Sequence, residues 1–188
     1  MNKTLTEDDF LEAAILLGCD IAAVKAVCEV EAPKGGFLKS GEPTVLFEAH
    51  HFSRLTSHAY DDSHPNISSR TWNRSLYKGG QREHDRMARA VKLNRDAALQ
   101  SASWGKFQIM GFNFEDCLFP RLQDFINAMY RSEGEHLKAF IGFVKTNNLD
   151  VALRKHKWAT FARGYNGSGY AANKYDFKLA QAWKRHAG

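Results

Sequence analysis

The chain reads as a mainly α protein, a single domain over residues 1–188 with at most a small β-sheet near residues 36–48. Three observations predict this. Apolar residues recur at helical spacing in segment after segment, most clearly in 21–28 and 122–144. Gly and Pro punctuate the intervals, at Gly18, at Pro33 with Gly35-Gly36, and through the polar stretch 61–80. Only Pro43-Thr44-Val45-Leu46-Phe47-Glu48 has the short, β-branched and apolar character of a strand.

Taken in order, Thr6-Glu7-Asp8-Asp9 resembles a capping box and opens a helix on Phe10, Leu11, Ala14 and Leu17 that Gly18 ends. Asp20 can cap the next helix, which runs to Glu31. The strand follows, then a short helix from His50 to Ser57. Residues 61–80 read as a long surface loop or flap, a length that is often functional. Strong helix formers fill Glu83 to Gln100. Pro120 starts a long helix to about Val144, with Leu122, Phe125, Ile126, Met129, Leu137, Phe140, Ile141 and Val144 on its inner stripe. Leu149–Leu153 and Lys157–Tyr165 are shorter helices, and Tyr175–His186 is the last. No internal repeat or linker interrupts this pattern.

Composition narrows the class. Hydrophobic content of 44% and charged content of 25% in 188 residues are those of a globular protein with one sizeable core. No apolar run approaches the roughly 20 residues of a membrane span. Met1 to Phe10 lacks an apolar signal core, so no signal peptide is expected. Cys19, Cys28 and Cys117 match neither a disulfide framework nor a metal-ligand spacing, which suggests free thiols and a reducing compartment. A net charge of +5 favours an anionic partner: nucleic acid, a phosphate-rich envelope or an acidic polysaccharide.

Glu31 is the residue that most clearly carries chemistry. Ile21, Val24, Val27 and Cys28 form an apolar stripe, and Glu31 is its next position. The helix must stop there, because Pro33 disfavours helix at Ala32. A half-buried carboxyl at the negative end of a helix dipole resists ionisation. A carboxyl kept protonated near neutral pH suits a general acid; the plain alternative is a frayed surface Glu. In Ser101–Gly111, Gly105 permits close backbone approach, Gln108 offers an amide donor and acceptor, and Trp104 could supply an aromatic plane for a sugar; the alternative is an ordinary helix start with Gln108 exposed. Tyr165-Asn166-Gly167-Ser168-Gly169 ends a helix with tight turns, either as part of a site or as a cap alone.

Together these segments resemble the N-acetylmuramidase family of phage endolysins, within the lysozyme-like superfamily that includes goose-type lysozymes and soluble lytic transglycosylases. Val30-Glu31-Ala32 with Gly35-Gly36-Phe37 resembles the family's helix-closing Glu, although Ala32 stands where Ser is commoner. Gly105-Lys106-Phe107-Gln108-Ile109-Met110 resembles its Gly-x-x-Gln-Ile segment, and Tyr165-Asn166-Gly167 its Tyr-Asn turn. Leu46-Phe47-Glu48-Ala49-His50 and Ser101 to Phe112 also match, so the likeness runs from about Leu5 to Lys184. Family members often add a separate cell-wall-binding module, for which this chain has no room.

The resemblance implies a lysozyme-like α+β fold and cleavage of the β-1,4 bond between N-acetylmuramic acid and N-acetylglucosamine in peptidoglycan. Glu31 would protonate the bridging oxygen, Tyr165 and Asn166 would position the sugar, and Gln108 and Ser103 would line the groove. No metal or other cofactor is needed. Glu48 is the candidate second carboxylate, on one strand face with Leu46 and Thr44, or else an ion-pair partner for an Arg. Without such a group the reaction becomes the transglycosylase type, in which the muramyl 6-hydroxyl attacks.

Two rival functions fit less well. A metal-dependent amidase would need a ligand motif, and His50-His51, His58 and His64 provide none, nor does Glu135-His136. A nucleic-acid module rests on charge alone, and the basic residues are dispersed, so no nucleic-acid partner is expected. On the final helix, about 174–187, Tyr175, Leu179, Ala182, Trp183 and His186 share one face, while Lys174, Lys178, Gln181 and Arg185 share the other. This cationic amphipathic pattern either packs on the domain or attracts anionic outer-membrane lipid or lipopolysaccharide. A monomer is expected, made in the host bacterial cytoplasm and released to the periplasm and wall through a holin-type pore, as the resemblance implies.

Overall fold

The computed structural model describes residues 3–188. The first helix, α1 (Glu7–Leu17), opens on a complete capping box: Thr6 Oγ1 accepts from Asp9 N–H, and the Asp9 carboxylate accepts from Thr6 N–H. Gly18 closes it in the left-handed conformation. Asp20 then caps α2 (Ile21–Glu31) by accepting from Ala23 N–H at 2.8 Å. The two helices pack together, with Ala13, Leu17, Val24, Val27 and Cys28 buried.

The strand β1 (Val45–Phe47) forms where expected. The sheet is larger than the stretch 36–48, because β2 (Ala102–Trp104) and β3 (Ile109–Met110) join it in the antiparallel order β1-β2-β3. Val45 pairs with Trp104 and Trp104 with Ile109 on the core face; Leu46 pairs with Ser103 and Ser103 with Met110 on the other. The span 102–110, holding two short strands, carries too little alternation for period-2 reading. Trp104 consequently points inward. It is 1% exposed and donates its indole N–H to Leu99 C=O at 3.0 Å. It is core, not the aromatic plane of a groove.

Beyond β1 lie α3 (Ala49–Leu55) and the 61–80 flap, which holds one short 3-10 turn, Arg74–Leu76. The helix expected over 83–100 is two: α4 (Gln81–Leu93) and α5 (Arg95–Gln100), separated at Asn94, which is extended and caps α5. The long helix expected from Pro120 also divides, into α6 (Leu122–Arg131) and α7 (Glu133–Thr146). Ser132 breaks it by adopting an extended backbone and accepting from Glu135 N–H. The inner stripe survives the break: Phe125, Ile126, Met129, Leu137, Phe140, Ile141 and Val144 are buried. The short α8 (Asp150–Arg154) and α9 (Trp158–Asn166) lead to α10 (Tyr175–Ala187). This last helix lies along α2 and α9 with Leu179 and Ala182 buried.

Two buried acids pin loops to this frame. Glu83, paired with Arg86 at 2.8 Å, accepts from Phe47 N–H and from Lys78 and Gly79 N–H, while Arg86 donates to Phe47 and Asn66 carbonyls. Both ends of the flap are thereby tied to β1. Glu133 accepts from Gly36 N–H at 2.6 Å and Leu5 N–H at 3.2 Å, and pairs with Lys106 at 3.5 Å.

Candidate active site

Glu31 occupies the last turn of α2 and is half-buried. Burial raises its pKa above the ordinary carboxylate value, against the opposing pull of the Asn166 amide and the Lys178 charge. Asn166, the last residue of α9, donates Nδ2–H to Glu31 Oε1 at 2.9 Å. Tyr165 beside it donates its hydroxyl to Phe107 C=O at 3.1 Å, and its ring packs flat on Phe161 and edge-on to Phe140 and Phe143. The Tyr-Asn turn is therefore braced by the core and presents an amide to the carboxyl.

Gln108 faces Glu31 across the opening and lines the same cavities. Its backbone sits at φ 49°, in the left-handed region. The strain is held by side-chain bonds: Oε1 accepts from Ser103 Oγ at 2.9 Å, and Nε2 donates to Gly105 C=O at 2.8 Å and Thr44 C=O at 3.3 Å. Ser103 is buried beneath Gln108, so it orients that amide and is not part of the cavity lining.

Buried His136 sits behind both glycine turns. A Cβ at Gly105 (φ 68°) would lie 2.8 Å from its ring, and one at Gly36 would lie 2.6 Å away. Lys106 N–H donates to His136 Nδ1 at 3.0 Å, so the proton resides on Nε2, which donates to Met129 C=O at 2.8 Å. Burial pushes the His136 pKa down and favours that neutral tautomer.

Glu31 and Gln108 are common to two adjoining cavities of about 350 and 330 Å³. One runs toward Met110, Asn113, Tyr165, Asn166 and Tyr175; the other runs over Thr44, Leu46, Gly79 and Lys106. The carboxyl thus stands at the waist of a continuous groove. A larger hollow of about 570 Å³, lined by Phe10, Cys28 and Glu133, lies behind α2 and does not include Glu31. A groove of this size, with amides, hydroxyls and one protonatable acid, can hold an extended polar ligand and give it a proton.

The fold brings Glu31, Gln108, Tyr165 and Asn166 together. Glu48 stands apart from both cavities. It lies on the strand face of Leu46, but Tyr77 hydroxyl donates to its two oxygens at 2.9 and 2.7 Å, and His50 Nδ1 is 3.3 Å away. Its partners are a phenol and an imidazole, not an Arg. Sequence reasoning missed Tyr175, Asn113 and Met110. Tyr175 reaches the groove only because α10 docks on α2, which no local pattern announces.

Other nucleophiles and ligands fit poorly. Burial pushes the Cys28 and Cys117 thiols up to about 12, so neither is a thiolate at neutral pH. Among the described residues no three His, Cys, Asp or Glu side chains converge in a group that could hold a metal ion. His51 stacks edge-on to Phe112 and accepts from Arg54; burial and its cationic neighbours hold its pKa down to about 4.

The N-acetylmuramidase family matches residues 20–187. No curated protein matches the chain. Among solved structures the chain is similar to the crystal structure of Burkholderia AP3 phage endolysin, with 40% identity and a TM-score of 0.93. That match covers 98% of this chain and 72% of the other. With an acid at the waist of a polar groove and a family match over nearly all of the chain, the protein belongs to the N-acetylmuramidases, glycoside hydrolases that act on peptidoglycan.

Proposed function

We propose that the protein is a phage or prophage endolysin that cleaves the β-1,4 bond between N-acetylmuramic acid and N-acetylglucosamine, with Glu31 as general acid. The observation that carries this is the half-buried Glu31 carboxyl, held toward its protonated form at the groove's waist. Its proton passes to the bridging oxygen as the bond to C1 breaks through an oxocarbenium-like state. Asn166 holds Glu31 Oε1 so that the other oxygen is free to face the ligand. Gln108 and Tyr165 line the bound sugar, and Ser103 fixes the Gln108 amide. Water then completes hydrolysis at C1.

Glu48 is the candidate for activating that water. Its engagement by Tyr77, away from the cavities, supports a second reading in which the muramyl 6-hydroxyl attacks C1 and leaves an anhydro end. Digesting purified peptidoglycan with wild type, Glu31→Gln and Glu48→Gln, followed by mass spectrometry of the fragments, tests both. Glu31→Gln is expected to lower turnover by about a hundredfold to ten-thousandfold. Reducing muramic ends, lost in Glu48→Gln, support hydrolysis through Glu48. Anhydro ends support the second reading, and free peptides or an active Glu31→Gln overturn both.

Among the described residues no helix is long and apolar enough to cross a membrane. The route we propose, from host cytoplasm to wall, is through a separate pore of the holin type. Lys174 at the N-cap of α10 and Phe177, Lys178 and Lys184 on the helix are exposed, and we read this surface as a contact for anionic outer-membrane lipid or lipopolysaccharide. Comparing lysis of intact Gram-negative cells with cleavage of purified walls by variants of these lysines tests that contact.

A further inference from the structure

A sugar-binding groove needs a flat apolar surface as well as amides, since the axial C–H bonds of a pyranose ring present an apolar face. With Trp104 in the core, the indole most open to water among the described residues is Trp72, on the 61–80 flap. It is 59% exposed, which is unusual for so large an apolar residue. It is nevertheless fixed in place. The indole Nε1–H donates to Tyr77 hydroxyl at 2.8 Å, and the two rings meet edge-on at 6.4 Å. Tyr77 in turn donates its hydroxyl hydrogen bond to Glu48, which sits on the same strand face as groove-lining Leu46. Because the tether uses the indole's edge, it does not compete for the faces of the ring.

The flap is anchored on the groove side by buried polar contacts. Gly79 lines the groove, and the buried Glu83–Arg86 pair holds Lys78, Gly79 and Asn66 to β1. Tyr77 lies two residues before groove-lining Gly79 and bonds Glu48, two residues after groove-lining Leu46, so it ties Trp72 to the Leu46 and Gly79 end of the cleft rather than to the Asn166 and Tyr175 end. A flexible loop would spend the stacking energy on ordering; a preorganised one does not.

We propose that Trp72 is an outlying glycan subsite: a sugar of the peptidoglycan strand, beyond those flanking the cleaved bond, stacks on its indole face. Trp72 and Tyr77 thereby set a minimum strand length for efficient cleavage. The inference rests on reading the groove as the glycan site. Stacking of this kind is worth about threefold to tenfold in affinity.

The test uses the full chain and peptide-free glycan fragments of defined length, with Trp72→Ala and Trp72→Phe. Trp72→Ala is expected to raise KM about threefold to tenfold on long fragments, with a penalty that grows with fragment length and leaves kcat largely intact. Trp72→Phe is expected to recover most of the affinity, since it keeps a ring face but loses the hydrogen bond to Tyr77. An equal penalty on short and long fragments, or a fall in kcat without a rise in KM, would assign Trp72 a structural role through Tyr77 and Glu48 and overturn the proposal. An unchanged KM for long fragments overturns it as well. Fragment binding measured in a Glu31→Gln background separates the two layers: a length-dependent Trp72 effect there stands even if Glu31 proves not to be the acid.

Discussion

Glu31 shows how one side chain's surroundings set its chemistry. Burial and the helix terminus press it toward the neutral acid, while the Asn166 amide and Lys178 pull it toward the carboxylate. The balance lies on the acid side, so activity should persist below its raised pKa and fade as pH climbs through it. Removing the amide tips the balance further. Asn166→Ala should move the alkaline limb of the kcat/KM profile to higher pH, even as the loosened carboxyl lowers the maximum. A limb that stays in place, or moves to lower pH, would mean that Asn166 does not govern this proton. Glu31 was legible in the sequence because it interrupts an apolar stripe just before a proline. Its partner was not: Asn166 is 135 residues away, and the packing of α10 against both α2 and α9 accompanies the approach of the amide to 2.9 Å.

At the scale of elements, the pattern of side chains was easier to read than the places where elements end. The stripe from Phe125 to Val144 is continuous, yet Ser132 turns its backbone out and splits it. A polar residue in mid-stripe reads equally as a tolerated surface position or as a cap, and the choice depends on whether α6 and α7 gain more by packing at an angle. The flap poses a related problem. Its polar sequence, with Pro65 and Gly79-Gly80, looks unstructured, but Glu83 on α4 supplies acceptors for its backbone. Glu83→Gln leaves Arg86 buried without its counter-charge, at a cost of about 3–5 kcal/mol. A lower Tm and proteolytic nicking within residues 61–80 should follow. A wild-type Tm would show that the flap is held by other contacts.

Across the whole molecule, charge and amphipathicity divide between inside and outside. The aromatic face expected for the last helix is spent internally: Trp183 donates to the Asp20 cap at 3.0 Å and packs with His156, and His186 meets Glu29 at 2.9 Å. Arg185 on the cationic side also bonds Glu29. Lys174, Lys178, Lys184 and Phe177 face outward, the last 61% exposed, on a chain of net charge +5. If this surface meets anionic lipid, each lysine contributes about 1 kcal/mol, or about fivefold in attraction. Lys174→Gln with Lys184→Gln should then reduce lysis of intact Gram-negative cells severalfold, with the difference shrinking as salt is raised, while cleavage of purified walls holds. Equal lysis of intact cells at low salt would remove the lipid contact.

By itself the sequence determined the helical class, the caps at Thr6 and Asp20, the strand at 45–47, and the half-buried carboxyl of Glu31 at a helix end. These follow from spacing and from residue types that act on their immediate neighbours, where hydrogen bonds and dihedral preferences span only a few positions. Tertiary structure alone decided that Trp104 turns inward, that Ser103 sits under Gln108, that Tyr77 engages Glu48, and that Tyr175 joins the groove. Those outcomes depend on which surfaces of distant segments bury one another, and burial is a property of the whole folded chain.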